Sequence, residues 1–385
     1  MANVLLVGAF GQHNLGDEAL CSAICRELGD HELTIASGDP ELTRALHGRR
    51  AVPATPLATH RALRRADLVV VGGGTVFKSL HPASGRRRSS LLLRTLGLLA
   101  LARVHRIPVA CVGVGAAAVR GPMIRWLARR VAWQPQLLVL RDEESAAVLA
   151  DIGVVPPFWI GADPAFALFN DERPRLPAPL ASSSAARPAR RVTVAVSHLA
   201  DDDPVASGTS GDVVDRLGAA LAGLAAQGWQ VRLQPWQHGP GDLAVAEALR
   251  AHVPDAAICA VPLDLTDAAQ SFLDDDLVVA MRFHALVAAA VARRPTVAVA
   301  HEPKLAGLAR RLDQIAIPPG ASTAVFATAL GQAVEHGPPA RHAVDQQIEL
   351  ATRTLRLMRL VVDGGRLDRP EELSTLSLST GEARW

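Results

Sequence analysis

The chain is 385 residues long, 49% apolar and 20% charged, with a formal net charge of +2, the composition of a soluble protein with room for two hydrophobic cores. No uninterrupted apolar run reaches the roughly 18 residues that span a bilayer, and the opening MANVLLVGAF lacks the basic segment of an export signal, so a cytoplasmic location is expected. The four cysteines, Cys21, Cys25, Cys111 and Cys259, make neither a disulfide framework nor a zinc-ligand spacing and read as buried thiols.

Short, continuous apolar runs alternate with helical patterns from the first residue: Val4–Val7, Leu33–Ala36, Leu68–Val71, Val109–Val112, Leu137–Leu140 and Phe158–Ile160. Continuous rather than alternating hydrophobicity predicts a parallel sheet covered on both faces, a doubly wound α/β domain over residues 1–172. The stretch 171–191 is rich in Pro, Ala and Ser and has no period, so it reads as a linker, taken as 173–191. A second domain of the same class follows over 192–340. Its expected strands are Val192–Val196, Gln230–Leu233, Ala257–Cys259, Leu277–Met281 and Thr296–Ala300, with helices near Val213–Ala226, Leu243–His252 and Ala285–Ala292. In the last segment, 341–385, a helix over Arg341–Val362 is expected to cross back to the first domain, and a loosely ordered tail follows.

Charge is unevenly spread along this plan. From Arg44 to Arg130 there are 17 Arg plus Lys and one acid, Asp67. The first half therefore carries a positive face, read either as a solvated exterior or as peripheral contact with an anionic membrane surface or lipid-linked substrate. The run lacks interleaved aromatics and any nucleic-acid module, which argues against nucleic acid.

The first strand ends in a polar loop, Gly8 to Glu18, that opens a helix. Asp17 and Glu18 occupy the helix's first turn and already complement its positive end, so a phosphate there would meet like charge. Asn14, Asp17 and Glu18 are expected to face sugar hydroxyls or to cap the turn. G-x-G-x-x-G is absent, and no acid marks the end of the second strand as a dinucleotide site requires. Gly72-Gly73-Gly74 and Gly113-Val114-Gly115 also follow strands, where glycine permits close approach of a ligand; Gly73 and Gly74 are candidate contacts. Arg141, at another strand tip beside Asp142 as an N-cap, is a further candidate substrate contact.

In the second domain Arg282 and His284 lie between an apolar strand and an alanine-rich helix, where open parallel sheets hold anionic ligands. They are the candidate catalytic pair. His198, His238 and His301, just past other strand ends, and Lys304, one of only two lysines and a point charge, are candidate substrate contacts. The polar residues around these histidines are not carboxylate-rich, so no metal is expected.

In order, Gly11-x-x-Asn14-Leu15-Gly16-Asp17-Glu18, Gly72-Gly73-Gly74, Gly113-x-Gly115, Arg141-Asp142-x-x-Ser145, Ala162-Asp163-Pro164, Met281-Arg282-Phe283-His284-Ala285-Leu286 and Glu302-Pro303-Lys304 resemble the polysaccharide pyruvyl transferase family over roughly residues 1 to 315. The resemblance implies two Rossmann-like domains in a GT-B-like fold, the first binding the acceptor and the second binding phosphoenolpyruvate. It also implies transfer of pyruvyl, as a ketal on two hydroxyls, to a sugar of a cell-envelope polysaccharide or lipid-linked glycan precursor. Carried onto this chain, Arg282 holds the donor and His284 serves catalysis; phosphoenolpyruvate is a co-substrate and no cofactor is implied. The chain departs from the family pattern at His198, where arginine is common, and at His301-Glu302, where Tyr-Asp is usual. Phe77 and Lys78 replace polar residues after the triple glycine, and Ala116 replaces Gly-Pro. Two alternatives stay open: a GT-B glycosyltransferase using a nucleotide sugar, and a ligand-binding relative without catalysis.

Overall fold

The computed structural model describes residues 1–79, 89–154, 158–170, 189–198 and 210–364. Most of the expected linker, the Arg86–Arg88 run and the tail from 365 onward lie outside those residues. The chain divides by its contacts into two units, Met1–His13 with Asp17–Asn170 and Gln347–Trp385, and Asn14–Gly16 with Asp171–Gln346.

The first unit holds strands β1 (Asn3–Val7), β2 (Glu32–Ser37), β3 (Arg50–Pro53), β4 (Leu68–Gly72), β5 (Thr75–Phe77), β6 (Val109–Ala116), β7 (Leu137–Leu140) and β8 (Trp159–Ile160). They form one sheet in the order β3-β2-β1-β4-β6-β7-β8, with β5 paired to the end of β6. The second unit holds β9 (Arg191–Ala195), β10 (Gln230–Gln234), β11 (Ala257–Ile258), β12 (Leu277–Ala280), β13 (Thr296–Val299) and β14 (Ile315–Ile317), ordered β11-β10-β9-β12-β13-β14. All these pairings are parallel. Each sheet winds outward in both directions from its first strand, so the order reverses once, between β1 and β4 and again between β9 and β12.

Helices cover both faces, which is why β4, β6, β12 and β13 are buried along their whole length and read as unbroken apolar runs. Three strands, β3, β5 and β14, were not expected from the sequence. Each has only three or four residues, and β3 carries Arg50 and Pro53, so pairing to a neighbour rather than local pattern makes them strands. Cys21, Cys25 and Cys111 are buried, as expected; Cys259 is half-buried instead, with Arg232 Nε donating to its sulfur at 3.3 Å.

The helix Arg341–Val362 begins in the second unit and ends in the first. Leu355, Leu357, Met358 and Val361 join the core around β1, β4 and β6. Gly161 makes room for this helix, because a side chain there would collide with Thr354 Oγ1. Arg359 fixes its end, donating to Glu27 O at 2.6 Å and pairing with Asp30.

Candidate active site

Ligands of open parallel sheets sit beyond the carboxyl ends of the strands, where the strand order reverses. In the second sheet that place lies between β9 and β12, and the residue after Met281 is Arg282, extended at φ −126° and ψ 144° as the helix Phe283–Val291 begins. Every residue of that helix is buried except His284. A fully apolar helix thus presents one polar, partly accessible side chain, in its first turn.

Arg282 is held from one side. Its Nε donates to Asp242 Oδ2 at 3.2 Å and its Nη2 to Asp242 Oδ1 at 2.5 Å, with Gln237 Oε1 at 3.3 Å from Nη2. Asp242 is 3% exposed and also accepts the backbone N–H groups of His198, at 3.1 Å, and Trp236, at 3.0 Å. One carboxylate therefore ties together the tips of β9, β10 and β12, by the charge-assisted bonds that are the stronger kind. It stands in the first turn of the helix Pro240–His252, where the helix dipole favours a negative charge. Arg282 Nη1 has no partner among the described residues, and the side chain stays 20% exposed. The guanidinium is fixed along one edge and open along the other.

The segment Asn14–Gly16 belongs to this unit. Asn14 pairs with Gln237 in an isolated antiparallel bridge, and its Oδ1 accepts from Gly16 N at 3.1 Å. A Cβ on Gly16 would lie 2.0 Å from His284 Nδ1. The imidazole occupies space that only glycine leaves.

The other residues nominated from sequence in this unit are less concentrated. His198 and His238 are exposed at the tips of β9 and β10. His301, past β13, lies with Nδ1 3.3 Å from Val299 O. Lys304 forms an ion pair with Glu302. Both cations proposed for an anion, Arg282 and Lys304, thus already face a carboxylate, so the local positive charge is smaller than the sequence suggests. Among the described residues no group of three or more His, Cys, Asp or Glu side chains is placed to hold a metal ion.

In the first unit the candidates have mostly structural surroundings. Glu18 accepts from Gly11 N at 2.7 Å and bonds His47 Nε2 at 2.8 Å, which closes the loop onto the helix. A Cβ on Gly73 would strike Leu20, whereas one on Gly74 would meet only Asp17 Oδ1, at 3.5 Å. Gly73 is therefore a packing glycine, while Gly74 has room for a side chain beside Asp17. Arg141 is buried, donating to Asp142 at 3.0 Å and Thr75 Oγ1 at 3.2 Å, with Asp163 at 3.8 Å. These bonds brace the sheet from inside. Asp142 caps its helix through Ser145 N at 2.7 Å.

One expectation is overturned, because an acid does follow the second strand. Asp39 caps the helix Pro40–His47 through Glu41 N and Leu42 N, and its other oxygen lies 3.8 Å from His13 Nε2. With Gln12, Glu41 and Arg44 the two residues line an open cavity of about 640 Å³ beyond β1 and β2. Gly38 lets Gln12 lie over the strand tip, since a Cβ there would fall 2.0 Å from its Nε2. A cavity of about 710 Å³ opens at the opposite edge of the second sheet, lined by Arg191, Arg232, Ser271 and Asp274. Beside it, burial pushes the Asp275 carboxyl up to about 7, although Arg232 lies 3.5 Å away.

A family profile described as polysaccharide pyruvyl transferase matches residues 14–303. No curated protein sequence matches significantly. Among solved structures, the chain is similar to S. aureus MnaA bound to UDP, with 10% identity, a TM-score of 0.59, and 94% of this chain and 97% of that one covered. Anabaena HepE in complex with UDP-glucose gives 12% identity and a TM-score of 0.58, covering 98% and 100%. The Neisseria meningitidis UDP-GlcNAc 2-epimerase bound to UDP-GlcNAc gives 11% and 0.57, covering 94% and 100%. At such identities the likeness establishes the fold, which is GT-B-like.

Proposed function

The chain belongs to the polysaccharide pyruvyl transferase family, and from that premise we propose that it moves the pyruvyl group of phosphoenolpyruvate onto two hydroxyls of a sugar in a cell-envelope polysaccharide or lipid-linked precursor. The observation that carries this reading is the half-held guanidinium of Arg282 at the β9/β12 reversal, two residues before an imidazole seated against Gly16.

The open edge of Arg282 suits the donor's carboxylate or phosphate, and Asp242 keeps that edge oriented before the donor arrives. His284 delivers a proton to the donor's methylene carbon, leaving an oxocarbenium-like C2. A sugar hydroxyl attacks C2 and the C–O bond to phosphate breaks; the second hydroxyl then closes the ketal. Of the two hydroxyl protons released, one balances the proton gained by the new methyl group and the other leaves with phosphate. The acceptor is assigned to the first unit, at Asp17, Gly74 and the cavity beside His13 and Asp39.

Glu302, at the tip of β13, favours a second reading, since a carboxylate there suits the ribose of a nucleotide sugar, and the structural neighbours were solved with UDP or UDP-sugars. Thermal-shift measurements separate the two. Phosphoenolpyruvate at millimolar concentration is expected to raise the Tm of the wild type and not of Arg282→Ala. Stabilisation by UDP-glucose with none by phosphoenolpyruvate would replace the first reading with the second.

A further inference from the structure

Beyond that reading, we infer that the outer face of the helices Ser90–Val104 and Pro122–Ala132 docks on an anionic bilayer surface. The two helices lie side by side on one face of the first sheet, because Leu92, Leu99 and Ala102 of one and Ile124, Leu127, Ala128 and Val131 of the other enter the same core. Their opposite sides therefore point away from the sheet together.

Those outward sides are apolar where a solvated helix would be polar. Val104 is 75% exposed, Met123 66% and Trp133 59%, with Leu93, Leu101 and Trp126 also exposed. Of the 13 large apolar side chains exposed among the described residues, these are six. Met123, Trp126, Arg130 and Trp133 recur at steps of three and four, which sets them in one stripe along the second helix and its end. Arg130 lies over the Trp126 ring at 5.3 Å from its centroid.

Charge identifies the occupant. Arg94, Arg103, Arg106, Arg120, Arg129 and Arg130 are exposed on and around this face, and from Leu68 to Arg141 the sequence contains no acid. Exposed tryptophan and leucine beside arginine favour the headgroup boundary of anionic membranes. A second copy of the chain would bring one arginine cluster against another, a like-charge juxtaposition that opposes pairing. No described helix is long and apolar enough to cross a membrane, so the contact is peripheral.

Flotation of the full chain with vesicles tests this, comparing phosphatidylcholine alone with phosphatidylcholine plus phosphatidylglycerol, and brominated lipid reports whether tryptophan reaches the acyl boundary. The wild type is expected to float with the anionic vesicles, at least about ten-fold more tightly than with neutral ones, and to lose much of that binding in high salt. Trp126→Ala with Trp133→Ala should weaken flotation about ten-fold or more. Trp126→Phe with Trp133→Phe should still float but lose most of the bromolipid quenching. Both pairs alter exposed positions, and matching melting curves confirm that they fold. The inference is overturned if the wild type stays unbound at millimolar anionic lipid, or if the alanine pair floats like the wild type. It also fails if light scattering without lipid finds a dimer that the alanine pair dissociates.

Discussion

The two sheets share one winding plan and use their reversal points differently. In the first sheet the polar side chains are largely turned to holding the scaffold: Glu18 closes its loop after β1, Gly73 admits Leu20 after β4, and Arg141, at the tip of β7, is enclosed by Asp142, Asp163 and Thr75. At β9/β12 a comparable carboxylate–guanidinium pair stops halfway. Asp242 takes one edge of Arg282, ties together three strand tips, and leaves the other edge of the guanidinium open. An arginine at a strand tip is thus closed off when acids surround it and keeps an open edge when they flank it on one side only. The strand order fixes where a ligand belongs, and the count and placement of carboxylates decide whether the place is occupied from within.

Four substitutions test this contrast, and a fifth, away from both reversal points, gives it a baseline. Arg141→Met should have the largest effect, a loss of about 3–5 kcal/mol in stability from leaving Asp142 and Asp163 buried without their cation, measured by denaturant unfolding. Its Kd for phosphoenolpyruvate should stay unchanged at temperatures where it is folded; a large rise would make Arg141 part of the site after all. Gly16→Ala forces a methyl group toward His284 Nδ1. A displacement of that ring by about 1 Å should lower kcat for phosphate release about 100-fold with little change in donor binding. Equal kcat in the variant would separate His284 from the chemistry.

Asp242→Asn keeps one acceptor oxygen and removes the charge. It should weaken phosphoenolpyruvate binding about ten-fold, because Arg282 is no longer held along its inner edge, while Arg282→Ala should abolish binding outright. The smallest effect is expected away from both reversal points, at Asp275. An unfolded aspartate titrates near 3.9, whereas burial holds Asp275 near 7 in the fold. The folded chain therefore keeps a proton that the unfolded chain releases, so the stability this group contributes is full below about pH 4 and is lost as pH rises through 7. Asp275→Asn should raise the Tm at pH 8 by a few degrees, with the gap closing toward pH 4. A constant gap across that range would assign the effect to packing.

Much of the fold was legible because doubly buried strands such as β4, β6, β12 and β13 need unbroken apolar runs, and the alternation of strands and helices between them placed eleven of the strands. The short β3, β5 and β14 were not, since their strand character comes from a neighbour's backbone. The position of Arg282 and His284 at a strand tip was also legible, as polar residues interrupting a run that is otherwise wholly apolar. Asp242 was missed: an acid in the first turn of a helix is explained locally by the helix dipole, and nothing nearby betrays a guanidinium forty residues further on. The same blindness hid the enclosure of Arg141, since its partner Asp163 stands in a separate motif.

By itself the sequence determined the two parallel sheets, the family pattern, and the strand ends at which polar chemistry collects, because hydrophobic period and turn residues act over a few positions. Only the tertiary structure decided which charges neutralise one another, which glycines make room for a neighbour, and which apolar side chains remain outside. Those outcomes depend on distances between residues far apart in the chain, and they separate an enclosed arginine from an available one.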